Sequence, residues 1–296
     1  MRNRASRAAR LAVRRRRAKG ASRDGGLNVR ITSTTNPRIK AISRLRDGHR
    51  RREQGLTLID GLRELRRALD RPEHARNIRE VYCVPELCET PDHRTVLEQA
   101  RDSGIARFDV APHVFERIAY GDRNEGLVAV FSVPRVELDG WREPPREIVL
   151  VLESVEKPGN IGAVLRTADA VGAAVALADP HTDLYNPNAV RASLGAVFHV
   201  PACETRGDVL LEWLRERRFR IVAARVDATC AYWTCDLTGR IAILLGSESR
   251  GLSEIWRIPS ISEVRVPMLG VVDSLNVSVT AAVLAYESVR QRSISR

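Results

Sequence analysis

Ile148-Val149-Leu150-Val151-Leu152 is an unbroken apolar run, closed by Glu153 and followed by the turn residues Pro158-Gly159-Asn160. A strand with one wet face alternates apolar and polar residues. A run with no polar member belongs to a strand covered on both faces, as in a parallel sheet. Reading onward, Ile161 to Val171 predicts a helix, Ala173–Ala178 a strand, and a polar loop leads past Asn188 into a short helix. Then come strand Ala196–Val200, helix Asp208 to Arg217, strand Phe219–Arg225, the second continuous run Ile241–Leu245, the short strand Val264–Pro267, and a closing helix from Asn276 to Arg290. Strands alternating with helices predict an α/β domain whose parallel sheet has helices on both sides. Ligands in such sheets bind where loops leave the carboxyl ends of the strands.

Upstream, residues 135–146 combine Gly140, Pro144 and Pro145 with mixed charges and no periodicity, as a linker does. Residues 31–134 predict a smaller α/β domain. Its first helix lies within Ile31 to Arg52, with Asn36 as cap, Pro37 in the first turn and Ile39, Ile42 and Leu45 on one face. This helix carries Arg38, Lys40 and Arg44, candidates for contact with a polyanion, and leads to the run Arg50-Arg51-Arg52. Strands follow at Leu56–Asp60, Val81–Val84, Ile105–Val110 and Gly126–Val133. The polar loop Gly121 to Gly126 is a further candidate for contact with a polyanion, although ordinary loops look the same.

The net charge of the 296 residues is +11, and ten of those charges, nine Arg and Lys19, fall within residues 1–23, which contain no acid. Such a block repels itself and does not fold alone. Residues 1–30 are therefore expected to be a basic, disordered tail, suited either to gripping phosphates or to solubilising the chain or addressing it to an organelle. No apolar run approaches the roughly 18 residues that span a bilayer, and no secretory leader precedes the domain, so a soluble, cytoplasmic protein is expected. The five cysteines and six histidines show no zinc-ligand spacing and no HExxH pattern, so no metal site is expected.

Three loops of the larger domain, 147–296, hold the candidate chemistry. The first, Asn160-Ile161-Gly162-Ala163-Val164-Leu165-Arg166, follows the first buried strand, with Asn160 placed to cap the helix. The second, Gly246-Ser247-Glu248-Ser249-Arg250-Gly251-Leu252, follows strand Ile241–Leu245; it is neither GxGxxG, GxxxxGK[ST] nor GxSxG. The third runs from Val266-Pro267-Met268 to Ser274-Leu275-Asn276-Val277-Ser278 and enters the last helix, offering free N–H groups and short polar side chains.

Taken together, Asn-x-Gly-x-x-x-Arg, Leu-Gly-x-Glu-x-x-Gly-Leu and Pro-Met followed by Ser-Leu-Asn-Val-Ser resemble, in order, the three motifs of the SpoU/TrmH branch of the SPOUT RNA methyltransferases. The segment Leu58-Ile59-Asp60-Gly61-Leu62-Arg63-Glu64 resembles, more loosely, the small RNA-binding domain that often precedes it. The resemblance implies a trefoil-knotted domain, S-adenosylmethionine as methyl donor, and a ribose 2′-hydroxyl as acceptor, in ribosomal RNA rather than transfer RNA. It also implies a homodimer with the active site near the interface. Backbone groups of Gly246, Val266, Ser274 and Leu275 would hold the donor. Val266 stands where the family usually has Ile, a mild departure. Arg166 is the family's catalytic arginine by position, and Arg191 resembles a second arginine that contacts RNA.

A methyl sulfonium is already an activated electrophile, so the transfer itself requires no metal. The protein must align the reactants and answer the departing proton and developing alkoxide. Guanidinium is almost never deprotonated in proteins. Arg166 is accordingly expected to act as a fixed cation, Asn160 to orient the ribose or Arg166, Glu248 to anchor the loops, and Asn276 to hydrogen-bond near the acceptor. The apolar stripe Val277, Ala281, Leu284 and Ala285 suits dimer packing, although an internal core face would look the same. Other readings are a SPOUT enzyme acting on transfer-RNA ribose or on a base nitrogen, and an RNA-binding protein without catalysis.

Overall fold

The computed structural model describes residues 30–120, 125–136, 138–141, 144 and 146–294. The basic segment 1–23 and most of the loop Gly121 to Gly126 lie outside them.

The amino-terminal lobe is a four-stranded sheet of β1 (Leu56–Asp60), β2 (Ile78–Cys83), β3 (Ala106–Asp109) and β4 (Leu127–Ser132), ordered β1-β4-β2-β3. β4 runs antiparallel to both neighbours, and β2 pairs in parallel with β3. Strand alternation divides β4 cleanly. Val128 and Val130 pack with Ile39, Ile42, Val114 and Phe115 of the flanking helices, while Leu127, Ala129 and Phe131 enter a second cluster on the opposite face. Asn36 caps the first helix as expected, its side-chain oxygen accepting the Arg38 N–H at 2.9 Å.

The larger sheet has six parallel strands: β5 (Ile148–Glu153), β6 (Ala174–Ala178), β7 (Ala202–Thr205), β8 (Arg220–Ala224), β9 (Ile241–Leu245) and β10 (Ser262–Val264), ordered β10-β8-β9-β5-β6-β7. The unbroken run lies at its centre. Ile148, Leu150 and Leu152 pack on one face against helices Pro158–Val171 and Val277–Ile294, and Val149 and Val151 on the other against Leu210, Trp213 and Trp256. The chain winds outward from β5 through β6 to β7, then crosses to the other half of the sheet. β5 and β9 are thus neighbours that belong to opposite halves, and a crevice opens beyond their carboxyl ends.

Three features differ from expectation. The stretch Ala196–Val200, apolar enough for a strand, forms a 3-10 turn at Ala196–Phe198, and the strand follows at Ala202–Thr205. Gly195, at φ 80°, starts that turn, and Phe198 is spent against the aromatic rings of Phe131 and His74. The last strand comes two residues early, at Ser262–Val264. Val277, Ala281, Leu284 and Ala285 are buried in this chain's own core against helix Pro158–Val171, so that stripe cannot carry a dimer contact.

The two lobes share one apolar cluster, in which Phe131 meets Tyr185 and Phe198 at ring-centroid distances of 5.7 and 5.5 Å. Arg51, from the middle of the basic run, is buried at this junction. It pairs with Asp183 at 2.7 Å and donates to the carbonyls of Leu45 and Arg46. An arginine with a carboxylate and two carbonyls around it has spent its charge inside the protein. Among the described residues no helix is long and apolar enough to cross a membrane.

Candidate active site

Helix Pro158–Val171 begins earlier than expected. Lys157 is its N-cap residue, without a side-chain capping bond, and Pro158 occupies the first turn, which tolerates a missing N–H. Asn160 is therefore the third helical residue rather than the cap, and its amide is free for other work. The second loop closes on itself: Ser247 and Gly251 exchange backbone hydrogen bonds of 3.2 and 3.0 Å, and the Ser247 hydroxyl accepts the Arg250 N–H. The third loop delivers Asn276, whose side-chain oxygen caps the last helix by accepting the Ser278 N–H at 2.9 Å.

Glu248 gathers the three loops. Its Oε1 accepts from Asn160 Nδ2 at 2.9 Å and from Asn276 Nδ2 at 3.0 Å, while Oε2 meets the Lys157 ammonium. Asn276 Nδ2 also reaches Asn160 Oδ1 at 3.2 Å. Two amides and an ammonium on one carboxylate fix all three side chains relative to the strand ends. Lys157, first, and Asn160, second, hold the Glu248 carboxyl below its ordinary range. A second carboxylate binds the loops from beneath: Glu153, buried at the end of β5, accepts the N–H and hydroxyl of Ser253 at 2.7 and 2.5 Å. An open cleft of about 290 Å³ lies here, lined among others by Glu153, Lys157, Asn160, Gly246, Glu248 and Val277.

Gly246 is required by space. A Cβ on it would lie 2.1 Å from the Gly251 carbonyl carbon and 2.3 Å from the Leu252 nitrogen, so only glycine lets the turn fold back on the strand end. Gly246 itself lines the cleft, as a backbone-bound ligand needs. Val266 and Leu275 are half-buried and Ser274 is exposed, and none of the three lines the cleft beside Gly246.

Arg166 stands apart. Six residues beyond Asn160 on the same helix, it lies about 9 Å farther along the axis and about 120° around it. It is exposed and has no hydrogen bond or ion pair among the described residues. Arg191 lies between the lobes, with its Nη1 4.0 Å from Asp60. Of the proposed RNA contacts on the small lobe, Arg38 is committed elsewhere. It pairs with Glu80 at 2.6 Å and stacks over Phe108, because the carboxylate and ring on the adjoining strands lie within its reach. Lys40 and Arg44 are exposed and have no such partners among the described residues. Sequence reading missed Lys157 and Glu153. No local signal marks either, since the partner of each lies on a distant segment.

Among the described residues no group of three or more His, Cys, Asp or Glu is arranged to hold a metal ion, and all five cysteines are free thiols. The lowered Glu248 carboxyl gives a testable sign. The arrangement is intact above the folded-state pKa and is lost as pH falls through it. Lys157→Met removes the largest lowering influence, so the acid limb of the pH–rate profile is expected to move to higher pH. An unmoved limb would separate Lys157 from Glu248.

Residues 147–286 match the model of the SpoU rRNA methylase family, and residues 36–129 that of the MRM3-like substrate binding domain. The chain is 32% identical over 257 residues to the 23S rRNA (uridine(2479)-2′-O)-methyltransferase of Streptomyces viridochromogenes, covering 82% of this chain and 86% of that one. It is 36% identical over 231 residues to the 23S rRNA (guanosine-2′-O-)-methyltransferase RlmB of Bordetella pertussis, covering 75% and 93%. A crystal structure of an RNA 2′-O ribose methyltransferase superposes with a TM-score of 0.76 at 37% identity, covering 89% of this chain and 99% of the other. The SpoU methyltransferase AviRb from Streptomyces viridochromogenes, in complex with the cofactor AdoMet, gives 0.79 at 28% identity, covering 88% and 100%. With three loops converging on one carboxylate at the strand ends, and with relatives matched over nearly their whole length, the chain belongs to the SpoU rRNA methylase family.

Proposed function

We propose that this chain transfers the methyl group of S-adenosylmethionine to a ribose 2′-hydroxyl of ribosomal RNA, acting in the cytoplasm. The observation that carries the reading is the Glu248 hub, which joins Asn160, Asn276 and Lys157 in the cleft that Gly246 lines. The preference for ribosomal over transfer RNA is supported by the names of the two curated relatives. Family membership implies the trefoil knot. The matched ranges support residues 31–134 as the RNA-binding part, 135–146 as a connection, and 147–296 as the methyltransferase part. Residues 1–30 are proposed as an arm for RNA phosphates.

The donor, when bound, supplies a methyl group on a positively charged sulfur. Gly246, Val266, Ser274 and Leu275 would hold it through backbone groups. Asn160 and Asn276, immobilised on Glu248, orient the ribose. Arg166 supplies fixed positive charge for the alkoxide that develops as the hydroxyl proton leaves. Arg191, Lys40 and Arg44 take phosphates, and Arg38, spent on Glu80, takes a smaller share. Unmethylated 23S rRNA incubated with the protein and donor is expected to yield a nucleoside whose added mass sits on the ribose fragment, equally in EDTA. Mass on the base fragment, or a strict need for divalent metal, would refute the reading.

A homodimer completes this site. Arg166 does not face the Glu248 hub of its own chain, and its free, exposed guanidinium is available to a second copy. Leu269 and Val271, fully exposed on the third loop, with Val279 and Tyr286 on the outer side of the last helix, offer an apolar face in place of the buried stripe. Light scattering should report a dimer. Mixing Arg166→Ala with Glu248→Ala protein should restore part of the activity neither has alone; a fully active monomer would exclude sharing.

A further inference from the structure

Strand β1 ends in Asp60 at the junction of the lobes, its side chain only 2% exposed. Asp60 Oδ2 accepts the backbone N–H of Tyr120 at 2.6 Å. Across the junction, Arg191 Nη1 lies 4.0 Å from the same oxygen, and the Arg191 side chain is 22% exposed. That distance gives an ion pair without a hydrogen bond, and the guanidinium makes no hydrogen bond among the described residues. None of its nitrogens is among the buried, unpartnered atoms of the described residues, so its donors stay within reach of water and of an incoming acceptor.

The support under Arg191 is stiff. Its helix, Pro187–Ala192, touches helix Pro158–Val171 so closely that a Cβ on Gly162 would lie 2.4 Å from Ala192 Cβ and 2.6 Å from the Ser193 nitrogen. From the other lobe, Arg67 donates to the Leu194 carbonyl at 2.8 Å. One short helix thus connects Asp60 to the helix that carries Asn160 and Arg166.

Charge on Asp60 comes at a cost. Burial pushes its carboxyl above the ordinary range and Glu125 adds to this, while the Tyr120 N–H, Arg191 and Arg46 oppose it. The hydrogen bond to Tyr120 does not need that charge, since an asparagine oxygen accepts equally. The Arg191 guanidinium does need it.

We propose that Asp60 is a positioning residue, whose carboxylate holds the Arg191 guanidinium at the lobe junction with its donors free to take a phosphate of the RNA strand whose ribose is methylated. This rests on the ribosomal-RNA reading above. Asp60 acts by its field: close enough to orient the cation, too far to occupy its donors.

The sign of the effect separates this proposal from general electrostatics. Removing a carboxylate from an RNA-binding surface ordinarily tightens binding, because one repulsion is lost. Here Asp60→Asn is expected to weaken the affinity of the full-length protein for 23S rRNA transcribed in vitro, by about tenfold. It should also flatten the salt dependence by about one phosphate contact, as Arg191→Ala should. Donor affinity should be unchanged, and the melting temperature equal or higher, since a buried charge has gone. The double variant should bind no worse than Arg191→Ala alone, because Asp60 acts through Arg191. Wild-type or tighter RNA binding by Asp60→Asn overturns the proposal, and so do losses that multiply in the double variant. Failure of the wild-type protein to methylate the transcript is a separate result. It strikes the substrate reading, and the affinity comparison still decides Asp60.

Discussion

Arg166→Ala is expected to leave melting and S-adenosylmethionine affinity near wild type while lowering methyl transfer by at least about 10²-fold. Arg166 is exposed and makes no bond that folding depends on, so its removal should change stability by about 0.5 kcal/mol or less. A fixed cation facing a developing oxyanion in a water-poor site is typically worth about 10²–10³ in rate. A surface arginine and a catalytic one therefore predict different results from one substitution. Arg166→Lys should recover part of the loss, because ammonium keeps the charge but not the planar fork. Single-turnover transfer and calorimetric donor binding, measured on the same samples, check this. Near-wild-type turnover would withdraw the role from Arg166 and make Arg191 the first alternative.

Gly246→Ala should do the opposite, abolishing donor binding before chemistry begins. The atoms that a Cβ would strike, the Gly251 carbonyl carbon at 2.1 Å and the Leu252 nitrogen at 2.3 Å, are backbone and cannot rotate aside. The turn must open, carrying Glu248 away from Asn160 and Asn276. Affinity for S-adenosylmethionine is expected to fall by about 10²-fold or more, about 2.8 kcal/mol, with a stability loss of about 1–3 kcal/mol from the forced shift. Gly159→Ala is the matched control, since a Cβ there meets nothing within 4 Å. Isothermal titration of both variants tests the pair, and normal donor affinity in Gly246→Ala would remove the second loop from the cofactor site.

Much of the site was legible because its signals are local. Gly246, Glu248, Asn160 and Asn276 stand beside apolar runs, where strand ends open onto the crevice, and the resemblance to three ordered family motifs singled them out. Lys157 and Glu153 were not legible. Each gains meaning from a partner about 90 to 100 residues away, Glu248 and Ser253, and nothing in the run Glu153 to Asn160 announces either. Separation along the chain, 132 residues for Arg51 and 42 for Arg38, also hid their fates. Beside their neighbours they read as a cationic face, yet Asp183 and Glu80 claim them after folding.

By itself, the sequence determined that the runs Ile148–Glu153 and Ile241–Leu245 become buried central strands, that the large sheet is parallel, and that three loops follow its strands. Those properties follow from periodicity and chain direction, which neighbouring residues set. Only the tertiary structure decided that the last helix turns Val277, Ala281, Leu284 and Ala285 inward rather than toward a second copy, because an apolar stripe does not specify its partner. The resemblance already gave Glu248 the part of anchoring the loops; tertiary structure decided which donors reach it, Asn160, Asn276 and Lys157. A carboxylate becomes a hub when donors from two distant segments arrive within hydrogen-bonding distance together, and packing alone brings them there.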